Sequence, residues 1–151
     1  MARYFLDSSA LVKRYHLELG TTEVEQLLGT SRSRFFISRL ALVEVQSTWA
    51  RLVREGVLTN ADFNDLTNRL EEDVSIGLLT VVALSSRHLQ GAATVLGTFG
   101  LSHNIRTLDA IHLATALALH ARTKLVGFVA ADKRLLDVAA NACGLAVVAV
   151  G

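Results

Sequence analysis

Apolar and polar positions alternate in blocks along the chain, and the blocks switch between strand-like and helix-like periods. A short β-prone run, Arg3–Leu6, stops at Asp7-Ser8-Ser9, after which Ala10-Leu11-Val12 opens a helical pattern. Thr21 and Thr22 precede an amphipathic piece, Val24–Leu28, that ends at Gly29. Phe35-Phe36-Ile37 reads as a second strand, with Ser38 placed to cap a long helix over Leu40–Arg54 that closes at Gly56. Thr59 or Asn60 caps the next helix, which runs to about Val74. Leu78–Ala83 predicts a third strand and Ser85–Leu96 a return to helix. Thr107–Arg122 is a helix with Leu108, Ile111, Leu113, Ala114, Leu117 and Ala118 on its buried side, apolar enough to be central. Leu125–Ala130 predicts a fourth strand, Lys133–Ala142 a helix with Gly144 as its stop, and Leu145–Val150 a fifth strand.

Strands that are almost wholly apolar and separated by helices indicate a parallel sheet covered on both faces. The expected fold is therefore a three-layer α/β/α arrangement around a central parallel five-stranded sheet. In such sheets ligands bind beyond the carboxyl ends of the strands, so chemistry is sought just after each strand.

Composition narrows the class. The 151 residues leave room for one domain spanning 1–151, and 51% apolar residues suffice for a core. Mean hydropathy is high, at +0.39. No apolar run approaches the ~18 residues of a membrane helix, and Asp7 interrupts the N-terminal stretch before a secretory signal forms. Cys143 is the one cysteine, which rules out an internal disulfide and any multi-cysteine metal site and fits a cytoplasmic location. A net charge of +1 excludes a strongly basic nucleic-acid coat. Twelve of the fifteen basic residues are Arg, suited to phosphate or carboxylate contacts but equally the mark of a GC-rich genome.

Four acids stand in apolar surroundings near the predicted carboxyl edge. Asp7 follows the first strand and Asp132 the fourth; Glu44 and Asp109 sit near helix starts. Singly, each has an ordinary role as a helix cap, a complement to the helix dipole or a surface position. Together they say more. Carboxylates ~4 Å apart repel by about 4 kcal/mol at an effective dielectric of ~20, so a convergent set requires a cation. All-oxygen ligation favours Mg²⁺ or Mn²⁺, whose chemistry suits phosphodiester hydrolysis. By contrast, Glu71-Glu72-Asp73 and Asp137 read as solvated helix residues.

Tyr4-Phe5-Leu6-Asp7-Ser8-Ser9-Ala10-Leu11-Val12-Lys13 resembles the opening motif of PIN domains. Leu108-Asp109-Ala110-Ile111-His112-Leu113-Ala114-Thr115-Ala116 is similar to the family's central helix, and Phe128-Val129-Ala130-Ala131-Asp132-Lys133-Arg134-Leu135 to its late aspartate segment. Glu44 takes the position of the helix glutamate. The resemblance runs over residues 3–150, and the small form is similar to VapC-type toxins of toxin–antitoxin pairs. It implies a Mg²⁺- or Mn²⁺-dependent endoribonuclease that hydrolyses RNA with metal-activated water. It also implies a homodimer and a cognate antitoxin whose C-terminal segment blocks the site. Asp7, Glu44, Asp109 and Asp132 would then be the catalytic metal ligands, and Ser9 the hydrogen-bond partner that orients a carboxylate. Ala130 stands where the family often has Thr or Ser, which removes one support for Asp132.

Arg14, Arg39 and Lys133 lie near the acids in sequence as candidate RNA phosphate contacts, and equally as plain surface charges. His112 falls one turn after Asp109 and reads as a hydrogen-bonded core or supporting histidine, with metal ligation as the other reading. Nucleophilic-serine, dinucleotide and P-loop motifs are absent. Trp49 and its helix read as core, with part of that surface open to a partner helix. The rival readings are a PIN nuclease in RNA processing, a non-catalytic PIN-like interaction domain, and a flavodoxin-like binding module. The last leaves Glu44 and Asp109 unexplained.

Overall fold

A computed structural model describes residues Met1–Gly151. Five strands form one sheet: β1 (Ala2–Leu6), β2 (Ser33–Ser38), β3 (Leu79–Val82), β4 (Gly127–Ala130) and β5 (Val147–Ala149). All neighbours pair in parallel, in the order β3-β2-β1-β4-β5. The expected three-layer α/β/α fold is present. The chain builds outward from β1 to β3, then crosses to the other side of β1 for β4. The β1/β4 boundary is therefore the topological switch point, where a crevice opens at the carboxyl edge.

Alternation along β1 supplies both cores. Phe5 points to one face, packing with Phe36, Phe128 and the apolar side of α5 (Ser86–Phe99), α6 (Thr107–Thr123) and α7 (Lys133–Asp137). Leu6 points to the other, among Leu11, Ile37, Trp49 and Val129, beneath α3 (Arg39–Arg54) and α4 (Asn60–Ser75). A strand buried on both faces has no polar positions to spare, which explains the unbroken apolar runs. Two short helices, α1 (Ser8–Leu11, continued by a 3₁₀ turn to Arg14) and α2 (Thr21–Leu28), complete the set.

Several local signals act as read. Ser38 accepts the Leu40 N–H at 3.1 Å and starts α3. Thr59 and Asp62 form a reciprocal capping box at α4. Gly91 lets α5 approach α6 closely, since a Cβ there would lie 3.2 Å from the Ala114 methyl. That contact seats α6, and with it Asp109 and His112.

Three differences have physical causes. Leu108, expected on the buried side of α6, is 43% exposed, because the first turn of the helix projects past its neighbours at the sheet edge. The helix after β4 widens into a π-helical turn over Val138–Ala142, where Cys143 N–H reaches back to the Val138 carbonyl. Asp73, read as solvated, is buried at 6% exposure. It shares a face of α4 with Leu66 and Leu70, and there accepts the Tyr15 hydroxyl at 2.7 Å and the Arg14 guanidinium at 3.2 and 3.3 Å. Glu71, Glu72 and Asp137 are exposed, as expected. Trp49 is fully buried, edge-on to Tyr15 at 5.6 Å, while Val43 on the same helix faces outward. No helix is long and apolar enough to cross a membrane.

Candidate metal and active site

Asp7 leaves β1 at the switch point and caps α1. Its Oδ2 accepts both the Ser9 hydroxyl at 2.7 Å and the Ser9 N–H at 3.1 Å. The same Ser9 Oγ accepts the Ala131 N–H at 3.0 Å, which ties the β1 exit to the β4 exit. Ala130 has no hydroxyl; the link at this edge comes from Ser9, in α1. Asp7 is 4% exposed, and burial raises its pKa above the ordinary carboxylate value. The nearby His112 and the two Ser9 hydrogen bonds only partly offset that burial, and Glu44 adds to the rise.

His112 lies one helical turn after Asp109 on α6 and is 1% exposed. Its Nε2 hydrogen-bonds Glu44 Oε1 from α3 and stands 3.6 Å from Asp7 Oδ1. Phe5 meets the ring edge-on, with centroids 6.5 Å apart. Burial alone would depress the imidazole pKa. The Glu44 hydrogen bond, with the charges of Asp7, Glu44 and Asp109, outweighs it and raises the value. Nδ1 is buried without a partner, a group whose desolvation costs about 1–3 kcal/mol.

Asp109 accepts the Arg106 N–H at 3.0 Å and so fixes the start of α6. Its charge is felt at His112 and at Arg134. Asp132 behaves differently. It caps α7 through the Arg134 N–H at 2.9 Å and binds the Arg134 guanidinium at 3.0 Å, which holds its carboxyl below the ordinary range. The structure therefore brings Asp7 and Glu44 to one imidazole, keeps Asp109 on the cap of α6 one turn before it, and turns Asp132 to its own arginine. No three His, Cys, Asp or Glu side chains stand together as a finished metal cage.

A cleft of about 360 Å³ opens beside Glu44, lined by Ser8, Val12, Ser47, Thr48 and Leu108. A larger cavity of about 540 Å³, between Val82 and Arg122, touches none of the four acids. Among the basic candidates, Arg39 and Lys133 are exposed at the starts of α3 and α7 with no ion-pair partner. Arg14 is turned away from the cleft, to Asp73.

Sequence reasoning missed one residue, Arg134, and the partner of another, His112. Arg134 has a local signal, since a side chain two residues after a helix cap folds back on it readily. The grip of His112 on Glu44 spans 68 positions and leaves no trace in spacing.

The sequence profile of the PIN domain matches residues 4–141. No curated protein matches the chain. Among solved structures, it is similar to VapBC2 from Rickettsia felis bound to a DNA fragment from their promoter, at 16% identity over 99% of each chain with a TM-score of 0.64. FitAcB from Neisseria gonorrhoeae is similar at 19% identity over 95% of each chain, TM-score 0.67. VapC20 from Mycobacterium tuberculosis, a sarcin-ricin loop cleaving toxin, is similar at 13% identity over 94% of this chain and 95% of that chain, TM-score 0.65. At these identities the likeness shows a shared fold.

Proposed function

The chain belongs to the PIN-domain family, a family of nucleases, and from that premise we propose that it is a metal-dependent endoribonuclease, the toxin of a type II toxin–antitoxin pair. One observation carries the reading. Two carboxylates from elements far apart in the chain, Asp7 after β1 and Glu44 on α3, face the same buried imidazole at the carboxyl edge of the sheet.

The donor set fits a hard divalent cation. It is all oxygen, and Asp7 is buried with its negative charge incompletely balanced, a position that a cation relieves. Asp7, Glu44 and Asp109 would hold Mg²⁺ or Mn²⁺, with Asp132 joining once it leaves Arg134. Such an ion would neutralise phosphate charge and favour the hydroxide form of a water that attacks phosphorus. The chain's own residues do the rest. Ser9 fixes the rotation of the Asp7 carboxyl through Oδ2, leaving Oδ1 turned to His112 without a hydrogen bond. Ser8, Ser47 and Thr48 line the cleft with hydroxyls that can accept and donate to a nucleotide. Arg39 and Lys133, exposed and without an ion-pair partner at the starts of α3 and α7, would take the flanking phosphates.

On this reading residues 1–151 act as one cytoplasmic nuclease unit that pairs with a second copy of itself. A cognate antitoxin lays its C-terminal segment across the cleft; the antitoxin complexes among the similar structures support that partner.

The test is direct. Purified protein should cut single-stranded or structured RNA with Mg²⁺ or Mn²⁺ and stop with EDTA. Asp7→Asn and Asp109→Asn should each lose cleavage, since an amide does not replace an anionic ligand. Undiminished cutting by both would overturn the assignment. Growth arrest on expression that disappears with Asp7→Asn would mark a toxin rather than a processing nuclease.

A further inference from the structure

One buried imidazole stands among the acids without being one of them. His112 is held from three sides: by its own helix α6, by the edge of Phe5 on β1, and by Glu44 on α3. It is also the one side chain that hydrogen-bonds Glu44. No Lys or Arg pairs with these carboxylates; Arg14 is committed to Asp73 and Arg134 to Asp132.

The geometry also fixes which nitrogen matters. A carboxylate only accepts, so the contact with Glu44 requires an N–H on Nε2. Nδ1 is left buried with nothing to bond. A leucine would fill the same space without that desolvated atom, so packing alone does not account for a histidine. What Nε2 holds does. Without it, the Glu44 carboxylate has no fixed partner and swings freely in the cleft beside Ser47 and Thr48.

Building on the reading that Asp7 and Glu44 are metal ligands, we propose that His112 is a positioning residue whose Nε2–H clamps Glu44 against Asp7, so that a divalent cation meets carboxylates already in place. His112 itself stays outside the ligand set. It acts through Glu44, as partners behind metal ligands commonly do.

The experiment is a Mn²⁺ titration of the full chain, followed by the electron paramagnetic resonance of free Mn²⁺, with melting temperatures recorded in parallel. Glutamine places an amide N–H near the Nε2 position, whereas asparagine places one near Nδ1. H112Q should bind Mn²⁺ within about threefold of wild type, and H112N about 10- to 100-fold more weakly, at matching melting temperatures. Equal affinities for the two variants, strong or weak, would overturn the clamp, since a merely structural histidine gives no reason for them to differ. If H112N fails to fold, H112Q decides alone: near wild-type affinity supports the clamp, and a tenfold or greater loss overturns it. Asp7→Asn distinguishes failure of the underlying reading. If it binds Mn²⁺ as wild type does, or if wild type binds none, the metal assignment falls and the clamp falls with it.

Discussion

Asp7 and Asp73 are both buried carboxylates, at 4% and 6% exposure, yet they are treated in opposite ways. Asp73 is saturated. It accepts the Tyr15 hydroxyl at 2.7 Å and two guanidinium nitrogens of Arg14, while Arg69 sits over the Tyr15 ring at 5.7 Å. Asp7 directs one oxygen to Ser9 and leaves the other facing an imidazole 3.6 Å away, beyond hydrogen-bond reach. A carboxylate that locks a helix in place uses its lone pairs on the protein. One kept for a ligand holds some back, and burial then raises its pKa.

The same substitution at both positions sharpens this contrast. Asp7→Asn should lower Mn²⁺ affinity and RNA cleavage by more than about 100-fold, beyond the loss expected for a supporting partner. Its melting temperature should be no lower than wild type, because a desolvated charge has been removed. Asp73→Asn should do the reverse. It should cost about 2 kcal/mol of stability by breaking the ion pair with Arg14, and leave cleavage per folded molecule within about a factor of two. Denaturant melts with cleavage assays measure both, and an exchange of phenotypes would break the comparison.

Ser9→Ala sits between the two. It frees the Asp7 carboxyl and strips the Ala131 N–H of its acceptor. Cleavage should fall about tenfold, with a stability loss of about 1 kcal/mol. Intact cleavage would mean that Asp7 needs no guide.

The smallest effect belongs to Asp62, exposed at the other end of the helix that carries Asp73. Hydrogen bonds from the Thr59 side chain and N–H hold its pKa below the ordinary carboxylate value. On acidification the unfolded chain therefore takes up this proton first. The stabilising contribution is complete above the ordinary value and lost as pH falls through the lowered one. Asp62→Asn should melt slightly lower than wild type near neutrality, and the gap should close in strong acid. A gap that persists there would show that the carboxylate charge is not its source.

Much of this was legible before any coordinates. Unbroken apolar runs separated by helices specify a covered parallel sheet, and β1 and β4 meet their acids where the pattern breaks. The order Asp7, Glu44, Asp109, with Ser9 beside Asp7, follows from motif and position. Asp73 reads as solvated because it closes a run of three acids, yet consecutive residues on a helix point about 100° apart. Its spacing from Leu66 and Leu70 carried the better signal. The turn of Asp132 toward Arg134, and of His112 toward Glu44, depends on rotamers and on helices meeting in space. Neither has a one-dimensional pattern.

Whether Asp7, Glu44 and Asp109 hold a divalent cation is read from crystals soaked in Mn²⁺ and measured at its absorption edge. An anomalous peak at the Asp7 and Glu44 carboxylates, with His112 still hydrogen-bonded to Glu44 and not on the ion, is the expected result. A map without that peak would overturn the metal assignment.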